Sequence, residues 1–308
     1  MRREHGSTAT SVSVSLLNAA STDVLVATAK SVNSTTALVT FNDVNISAKK
    51  GTYKLRFTAT NATTGIAINN TYVDSADITL THGAAHHIGL TTDAAGARAG
   101  LEFDTQPVVT IRDQDNNTVT TGSDSTQTVT LSSTDATIGG TYSMNAVAGV
   151  ADFIGNGVKL TGLVGSRNLT ATISSPSTKT IANSVTISFG AADHLGVSRQ
   201  AAGALNGVAF TTQPIITIQD QSNNTVANST ASVAVSVGSG TTISGTSLNV
   251  NAVAGVATFA GLKLTGTAAT YTLTYASTGI TSATQQITVT PGAATQLVLT
   301  TSAAGFVN

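Results

Sequence analysis

The chain has 308 residues, of which 9% are charged and 4% aromatic, and a formal net charge of −1 at pH 7. This charge provides no electrostatic basis for binding nucleic acid or an anionic membrane. The absence of cysteine excludes disulfides and thiolate metal sites, and no apolar run is long enough for membrane insertion.

Residues 1–82, the first segment, are predicted to form a partial copy of a β unit that recurs later in the chain. The first ten residues lack the apolar stretch of a signal peptide, so we expect either that targeting has been removed or that this is an interior piece of a longer chain. Tyr53, Leu55 and Phe57 alternate with basic residues, which predicts a strand with one wet face, paired with 76–81.

The recurring unit is clearest in two stretches that begin at residues 100 and 207, which are 107 residues apart. They read GLEFDTQPVVTIRDQDNNTV and GVAFTTQPIITIQDQSNNTV. In each, a Thr-Gln-Pro corner leads into an alternating apolar run, and an Asp- and Asn-rich tip follows. This pattern predicts a strand that runs into a tight turn.

Two further motifs repeat in the same order, Gly-Ala-Ala at residues 83, 190 and 292 and Asn-Ala-Val-Ala-Gly-Val-Ala-x-Phe at residues 145 and 251. They define the middle unit, 83–189, the third unit, 190–291, and the tail, 292–308. Seven short strands per unit, without helical periodicity, predict tandem immunoglobulin-like β-sandwich domains with very short linkers, in an elongated, semi-rigid rod. In the middle unit the predicted strands are 87–90, 107–112, 126–132, 142–146, 149–154, 168–174 and 184–189.

The unit resembles the bacterial Ig-like tandem repeats of large microbial cell-surface and adhesin-type proteins, such as invasin and intimin stalks. The residues that carry the resemblance are Pro-(Val/Ile)-(Val/Ile)-Thr-Ile-x-Asp-x-x-x-Asn-Thr-Val, Ala-Val-Ala-Gly-Val-Ala-x-Phe and the alternating run 271–275. Such repeats commonly have Gly where this chain has Asn116 and Asn223; Asn also tolerates the left-handed conformation. The resemblance implies an extracellular or cell-surface location and a structural or adhesive role.

Two sets of side chains are candidate metal ligands. Asp113 and Asp115 alternate as in calcium-binding loops, but no bidentate Glu follows and the second copy replaces Asp115 by Ser222. We interpret this tip as a turn and keep Ca²⁺ as the alternative cofactor. The other set, a histidine cluster near the junction at residue 83, is interpreted as polar filling with zinc as the alternative. Its members are His82, His86 and His87.

Catalytic motifs are absent from the sequence, so we expect no enzymatic activity. Eight Asn-x-Ser/Thr sequons are candidate glycosylation sites if the source glycosylates secreted proteins. They begin at Asn33, Asn45, Asn61, Asn69, Asn116, Asn168, Asn223 and Asn228.

The favoured function is a structural segment of an extracellular fibre, stalk or filament. An adhesin module that binds a glycan or host protein, or a phage or virion surface protein, is the alternative. We favour the structural hypothesis because no loop set has an insertion or an aromatic cluster.

The tail is predicted to open a further unit with a self-assembly strand. Because the first segment lacks its opening strands, we expect head-to-tail self-association by strand donation. Continuation of a longer repeat array is the alternative. The predicted strand consists of Gln296, Leu297, Val298, Leu299 and Thr300.

Overall fold

The computed structural model describes residues 10–33, 38–61, 67–175, 177–294 and 296–298, with only the backbone described for 67–71. Within these residues the chain is all-β: it forms 25 strands in several sheets and one 3₁₀ turn, Ser123–Thr126. Alternation of β-branched and small polar residues explains this, because such residues suit a pleated surface that is buried on one face.

The first segment forms a sheet in the order β3-β1-β5-β6, with β7 also paired to β5, and a two-stranded sheet β2-β4. The pairing of 78–80 with β5 lies within the predicted partner stretch 76–81. The strands are β1 (Thr10–Leu17), β2 (Val24–Val26), β3 (Lys30–Ser31), β4 (Asn45–Ser47), β5 (Gly51–Asn61), β6 (Ala67–Asp74) and β7 (Ile78–Leu80).

The middle unit forms three sheets, in the orders β12-β10-β15-β16, β13-β9-β8 and β11-β14. The strands are β8 (His87–Thr92), β9 (Val108–Arg112), β10 (Thr128–Ser132), β11 (Thr137–Gly139), β12 (Ser143–Asn145), β13 (Val150–Asp152), β14 (Lys159–Thr161), β15 (Gly165–Ile173) and β16 (Lys179–Ile187). Each predicted strand of this unit overlaps an observed one. The pair β11 and β14 was not predicted, because three-residue strands are too short to show a period.

The third unit repeats these pairings, and a parallel contact of His194 with Thr281 joins two of its sheets in the order β21-β19-β24-β25-β17-β18-β22. Strands β20 and β23 pair separately, as β11 and β14 do. The strands are β17 (His194–Arg199), β18 (Ile215–Gln219), β19 (Ser232–Val237), β20 (Thr241–Ser244), β21 (Asn249–Asn251), β22 (Val256–Thr258), β23 (Lys263–Gly266), β24 (Thr270–Ser277) and β25 (Ile280–Thr288).

Two separate hydrophobic cores lie between these sheets. One extends from Ala85 to Ile187 and the other from Leu195 to Val289. Each collects inward-facing side chains from two sheets, for example Ile111 of β9 and Leu131 of β10 in the first core. Facing sheets that share one core are consistent with a β-sandwich.

Of the two larger facing sheets of the middle unit, β12-β10-β15-β16 and β13-β9-β8, the first segment has a counterpart of only the former. Strand β1 pairs with β3 and β5 as β10 pairs with β12 and β15, and β2 pairs with β4 as β11 pairs with β14. The described residues of the segment contain no counterpart of the sheet β13-β9-β8. Val14 of β1 is therefore only half-buried, whereas its equivalent Leu131 is 1% exposed.

Candidate functional site at the joints between units

The Asp- and Asn-rich tip that follows β9 is a tight turn held by one carboxylate oxygen. Asp113 Oδ1 accepts hydrogen bonds from the backbone N–H groups of Asp115 (2.9 Å) and Asn117 (2.8 Å). Asn116 has φ of 62°, a left-handed conformation that Asn tolerates better than most residues. The turn after β18 has the same bonds, from Ser222 and Asn224 to Asp220 Oδ1, at 2.9 Å each.

The second oxygen of each aspartate binds the opening glycine of its unit. Asp113 Oδ2 accepts the Gly83 N–H at 2.8 Å, and Asp220 Oδ2 accepts the Gly190 N–H at 2.7 Å. A Cβ on Gly190 would lie 2.2 Å from the backbone carbonyl oxygen of Ala99, so only glycine fits there without a backbone shift. The Gly-Ala-Ala motif is thereby tied to the tip.

The asparagine at the end of each tip binds the backbone of the preceding unit. Asn117 Nδ2 donates to the Ala48 carbonyl (3.2 Å), and its Oδ1 accepts from the Lys50 N–H (2.8 Å). The side-chain amide thus pairs with the loop before β5 as a neighbouring strand would. The second joint repeats the geometry: Asn224 Nδ2 donates to Gly162 (3.0 Å) and Oδ1 accepts from Val164 (2.9 Å).

Each tip therefore forms a polar latch, by which we mean the Asp, the Asn four residues later, the opening glycine, and the C=O and N–H of the preceding loop. The Asp is 3% exposed in the first latch and 1% in the second, and both Asn residues are 5% exposed. Buried polar groups cost free energy unless they are hydrogen-bonded, and every polar side-chain atom of these Asp and Asn residues has a hydrogen-bond partner. The latch consequently favours one arrangement of adjacent units.

Burial by itself would raise the pKa of Asp113, but the N–H groups of Gly83, Asn117 and Asp115 hold it below its ordinary value. The pKa of Asp220 is lowered for the same reasons. A carboxylate that accepts several N–H bonds is stabilised in its charged form, which offsets desolvation.

Acid is therefore expected to weaken both latches. With the folded-state pKa below the unfolded value of about 3.9, this stability is present above pH 4 and lost as pH falls through the folded pKa. Urea unfolding from pH 7 to pH 2 measures it. The Asp220→Asn variant should be less stable at pH 7 and converge with the unmodified chain in acid. A constant gap between the two curves would contradict this, and exposed Asp77→Asn is the control.

The histidine cluster does not converge on a common point. His87 Nε2 lies 2.7 Å from Asn116 Oδ1, and His194 Nε2 lies 3.0 Å from Asn223 Oδ1. Since an amide oxygen only accepts, each imidazole donates from Nε2 and supports the left-handed residue of its tip. His82 bonds the Gly83 carbonyl and the Thr121 hydroxyl. His86 contacts the His87 ring edge-on, with centroids 5.7 Å apart.

Among the described residues no group of three or more His, Cys, Asp or Glu side chains is arranged to hold a metal ion. Asp113 has four N–H donors on its two oxygens, which fill its four lone-pair positions. Asp115 is engaged by the Ser47 hydroxyl at 2.6 Å. Both candidate calcium ligands thus accept hydrogen bonds from protein donors, Asp113 on both oxygens and Asp115 on Oδ1.

Chelation is accordingly expected to leave stability unchanged. Because no lone pair of Asp113 is free for a cation, adding EDTA or Ca²⁺ should move the melting temperature by no more than about 1 °C. Differential scanning calorimetry provides the measurement. A rise of several degrees in Ca²⁺ that is lost in Asp115→Asn would instead assign the tip as a calcium site.

The structure places the remaining predicted sites at the surface or outside the described residues. Six of the eight sequon asparagines are exposed and Asn61 is half-buried, whereas only the backbone of Asn69 is described. The exposed ones are Asn33, Asn45, Asn116, Asn168, Asn223 and Asn228.

The predicted self-assembly strand is not formed in the described part of the tail. Gln296, Leu297 and Val298 are exposed and belong to no strand, because no described strand lies beside them to pair with. Leu299 and Thr300 lie outside the described residues.

Sequence reasoning missed the partners of the tips. The loops 48–50 and 162–164 lie 60 or more residues away in sequence and contribute only backbone atoms. No side-chain pattern marks them. The one available signal was that Asp and Asn recur four residues apart in both copies although Ser222 replaces Asp115 between them.

No protein-family model and no curated protein matches the chain. Solved structures with partial similarity include the adhesin InvE of Yersinia pseudotuberculosis, at 18% identity and TM-score 0.27 over 66% of this chain and 58% of that one. The S-layer protein rSbsC(31-844) matches at 15% identity and TM-score 0.31 over 91% of this chain and 35% of that one.

A beta-glycosidase from Bacteroides vulgatus matches at 12% identity and TM-score 0.28, over 66% of this chain and 24% of the enzyme. The chain thus spans about a quarter of the length of such glycosidases. Identities of this size bear on the fold alone, and TM-scores this low do not establish a shared arrangement of strands. Within the described residues, no helix has the length and apolar character to cross a membrane.

Proposed function

We propose that this chain is a non-enzymatic structural segment of a microbial cell-surface protein, in which tandem Ig-like sandwiches form a semi-rigid stalk or filament outside the cell. The observation that carries the proposal is the latch itself. Two successive joints use the same Asp, Asn and opening glycine in the same hydrogen bonds. A chain that only needed to connect independent modules would not require the same buried polar contacts at each joint.

A stiff joint suits a spacer. Fixed orientation between units keeps an array extended, whereas flexible linkers let it collapse toward a coil. Each latch also buries its aspartate among N–H donors, and opening the joint would expose that network, so the hydrogen bonds oppose bending.

Two measurements test the proposal. Small-angle scattering of the full chain should give an extended particle of one shape, and disruption of a latch should broaden its range of dimensions. Antibodies against 83–291 should label intact cells of the source without permeabilisation. Labelling that requires lysis would overturn the surface location, and scattering typical of a flexible chain would overturn the stalk.

A second candidate function, self-association by strand addition, is supported by the half-buried face of β1. Val12, Val14 and Leu16 face the side on which the complete units have a second sheet, and they remain half-exposed. In the tail, Leu297 and Val298 are 103% and 70% exposed. Strands that add to an open sheet bury such residues and satisfy backbone groups together.

Deleting 292–308 tests self-association. If the tail fills the open face of another copy, the deletion abolishes fibres seen by negative-stain microscopy and leaves monomers in sedimentation. A matched variant, Leu297→Asp with Val298→Asp, should do the same without shortening the chain. Fibres that persist in both variants, or a full chain that is monomeric at high concentration, would rule the mechanism out.

A further inference from the structure

The end of the third unit repeats the backbone arrangement found at the end of the middle unit. In the middle unit, Ser188 exchanges backbone hydrogen bonds with Ala97 and Ala99, at 2.9 and 3.0 Å. The chain therefore leaves both units along the same path. The equivalent bonds in the third unit, also 2.9 and 3.0 Å, join Thr290 to Ala204 and Asn206.

The glycine that follows is packed in a similar way. A Cβ on Gly190 would meet the Ala99 carbonyl oxygen, and a Cβ on Gly292 would meet the equivalent oxygen of Asn206 at 3.1 Å. Gly190 also donates its N–H to Asp220, the tip aspartate of the third unit. Gly292 thus lies against the third unit much as Gly190 lies against the middle unit, although Gly292 is half-buried where Gly190 is fully buried.

The loop that binds the tip asparagine is repeated as well. In both units this stretch follows a Lys-Leu-Thr sequence: residues 162–164 follow that of β14, and residues 266–268 follow that of β23. The register agrees, because Leu160 pairs with Ile138 as Leu264 pairs with Ile243. Thr267 and Ala268 are exposed.

We propose that the end face of the third unit, formed by Gly266, Thr267, Ala268 and Gly292, is a docking surface for the Asp-x-x-x-Asn tip of a further unit of the same kind. The Gly266 carbonyl and the Ala268 N–H receive the side-chain amide of the tip asparagine. The Gly292 N–H donates to the tip aspartate. The observed latches at the two preceding joints are the precedent.

The occupant is a tandem unit and not a second copy of this chain, because both tips of the chain are already engaged in its own joints. Asparagine suits the position since its amide oxygen accepts and its NH₂ group donates, so it can bond a backbone N–H and a backbone C=O at once. This inference rests on the proposed array, but it concerns which surface continues the array and not where in the cell the array is located.

The test extends the chain by one unit, with residues 193–291 repeated directly after Ala294. Hydrogen exchange of the Ala268 and Gly292 amides is compared with the full chain. Docking is expected to slow both about tenfold or more, because a latched amide exchanges only when the joint opens. The Val164 amide at the existing joint calibrates the effect within the same molecule.

Two variants of the appended unit separate docking from mere proximity. Asn224→Ala in the appended copy should restore fast exchange at Ala268, whereas Ser222→Ala, in the same turn but outside the latch, should not. Protected amides at the appended copies of Ile216 and Ile218 establish that the unit is folded. Unchanged exchange at Ala268 and Gly292 beside a folded unit, or protection that survives Asn224→Ala, would overturn the proposal. Neither result would bear on the surface location.

Discussion

Replacing Ile218 by Asp is expected to unfold the third unit. Ile218 lies in β18 with 0% exposure, in one core with Phe259, Leu264 and Tyr275. The change removes about 1.5–3 kcal/mol of apolar burial and adds an unpaired buried charge, a combined cost of about 5 kcal/mol or more. Because a domain of this size is stable by only about 5–15 kcal/mol, most of the folded population is lost.

Circular dichroism and calorimetry should then show loss of the third-unit transition, while amide protection of the middle unit persists because it has its own core. The matched control is Thr272→Asp. Thr272 lies on the exposed face of β24 in the same unit, so the same charge costs well under 1 kcal/mol there. Equal losses in the two variants would mean that the inward face of one strand is wrongly assigned.

Replacing Asn224 by Asp is expected to open the second joint. The variant loses the Nδ2 donors that bind Gly162 at 3.0 Å and Asp220 Oδ2 at 2.9 Å, and sets a second carboxylate against the first. A lost donor leaves buried acceptors unsatisfied, and two buried like charges repel, so we expect a loss of about 3 kcal/mol or more at pH 7. The loss should shrink as the pH is lowered, because the like charge of its neighbour raises the pKa of one carboxyl of the pair and lets it take up a proton.

Urea unfolding measures the stability of this variant, and small-angle scattering measures its interunit freedom. The control is Asn223→Asp, one residue earlier in the same tip. Asn223 is exposed and uses only its oxygen, as acceptor from His194, so aspartate can replace it at a small cost. If both variants scatter as the unmodified chain does, Asn224 does not hold the joint.

The two latches differ in the residues around the shared contacts. At the first joint the Ser47 hydroxyl binds Asp115, and Ser222 stands in place of Asp115 at the second. The Asp, the Asn and the opening glycine stay the same although these neighbours change. A common docking geometry requires identical residues only at the buried contacts, because a buried polar group that loses its protein partner has no water to replace it. The residues around these contacts can differ.

The amino-acid sequence by itself determined the strands and the turns. Period-two alternation in runs such as Val109 to Ile111 identifies a strand whatever it packs against, because the pleat alone sets which side chains share a face. It did not show that Thr110, on the opposite face, is buried as well, at 5% exposure. The tip was predictable for the same local reason: Asp113 and Asn116 supply turn chemistry within five residues. Repetition of these motifs marked the units.

Only the tertiary structure decided what the tips bind. Asn117 pairs with backbone atoms of residues 48 and 50, and backbone atoms carry no sequence signal at such a separation. The same holds for the short pair β11 and β14, which exists because the folded chain brings two three-residue segments together. Asp113 reads in sequence as a turn former or a calcium ligand. In the folded chain Gly83 and Asn117 donate N–H groups to its second oxygen, which places Asp113 at the centre of a joint. The sequence could not show this, because the Gly83 N–H is a backbone donor 30 residues away.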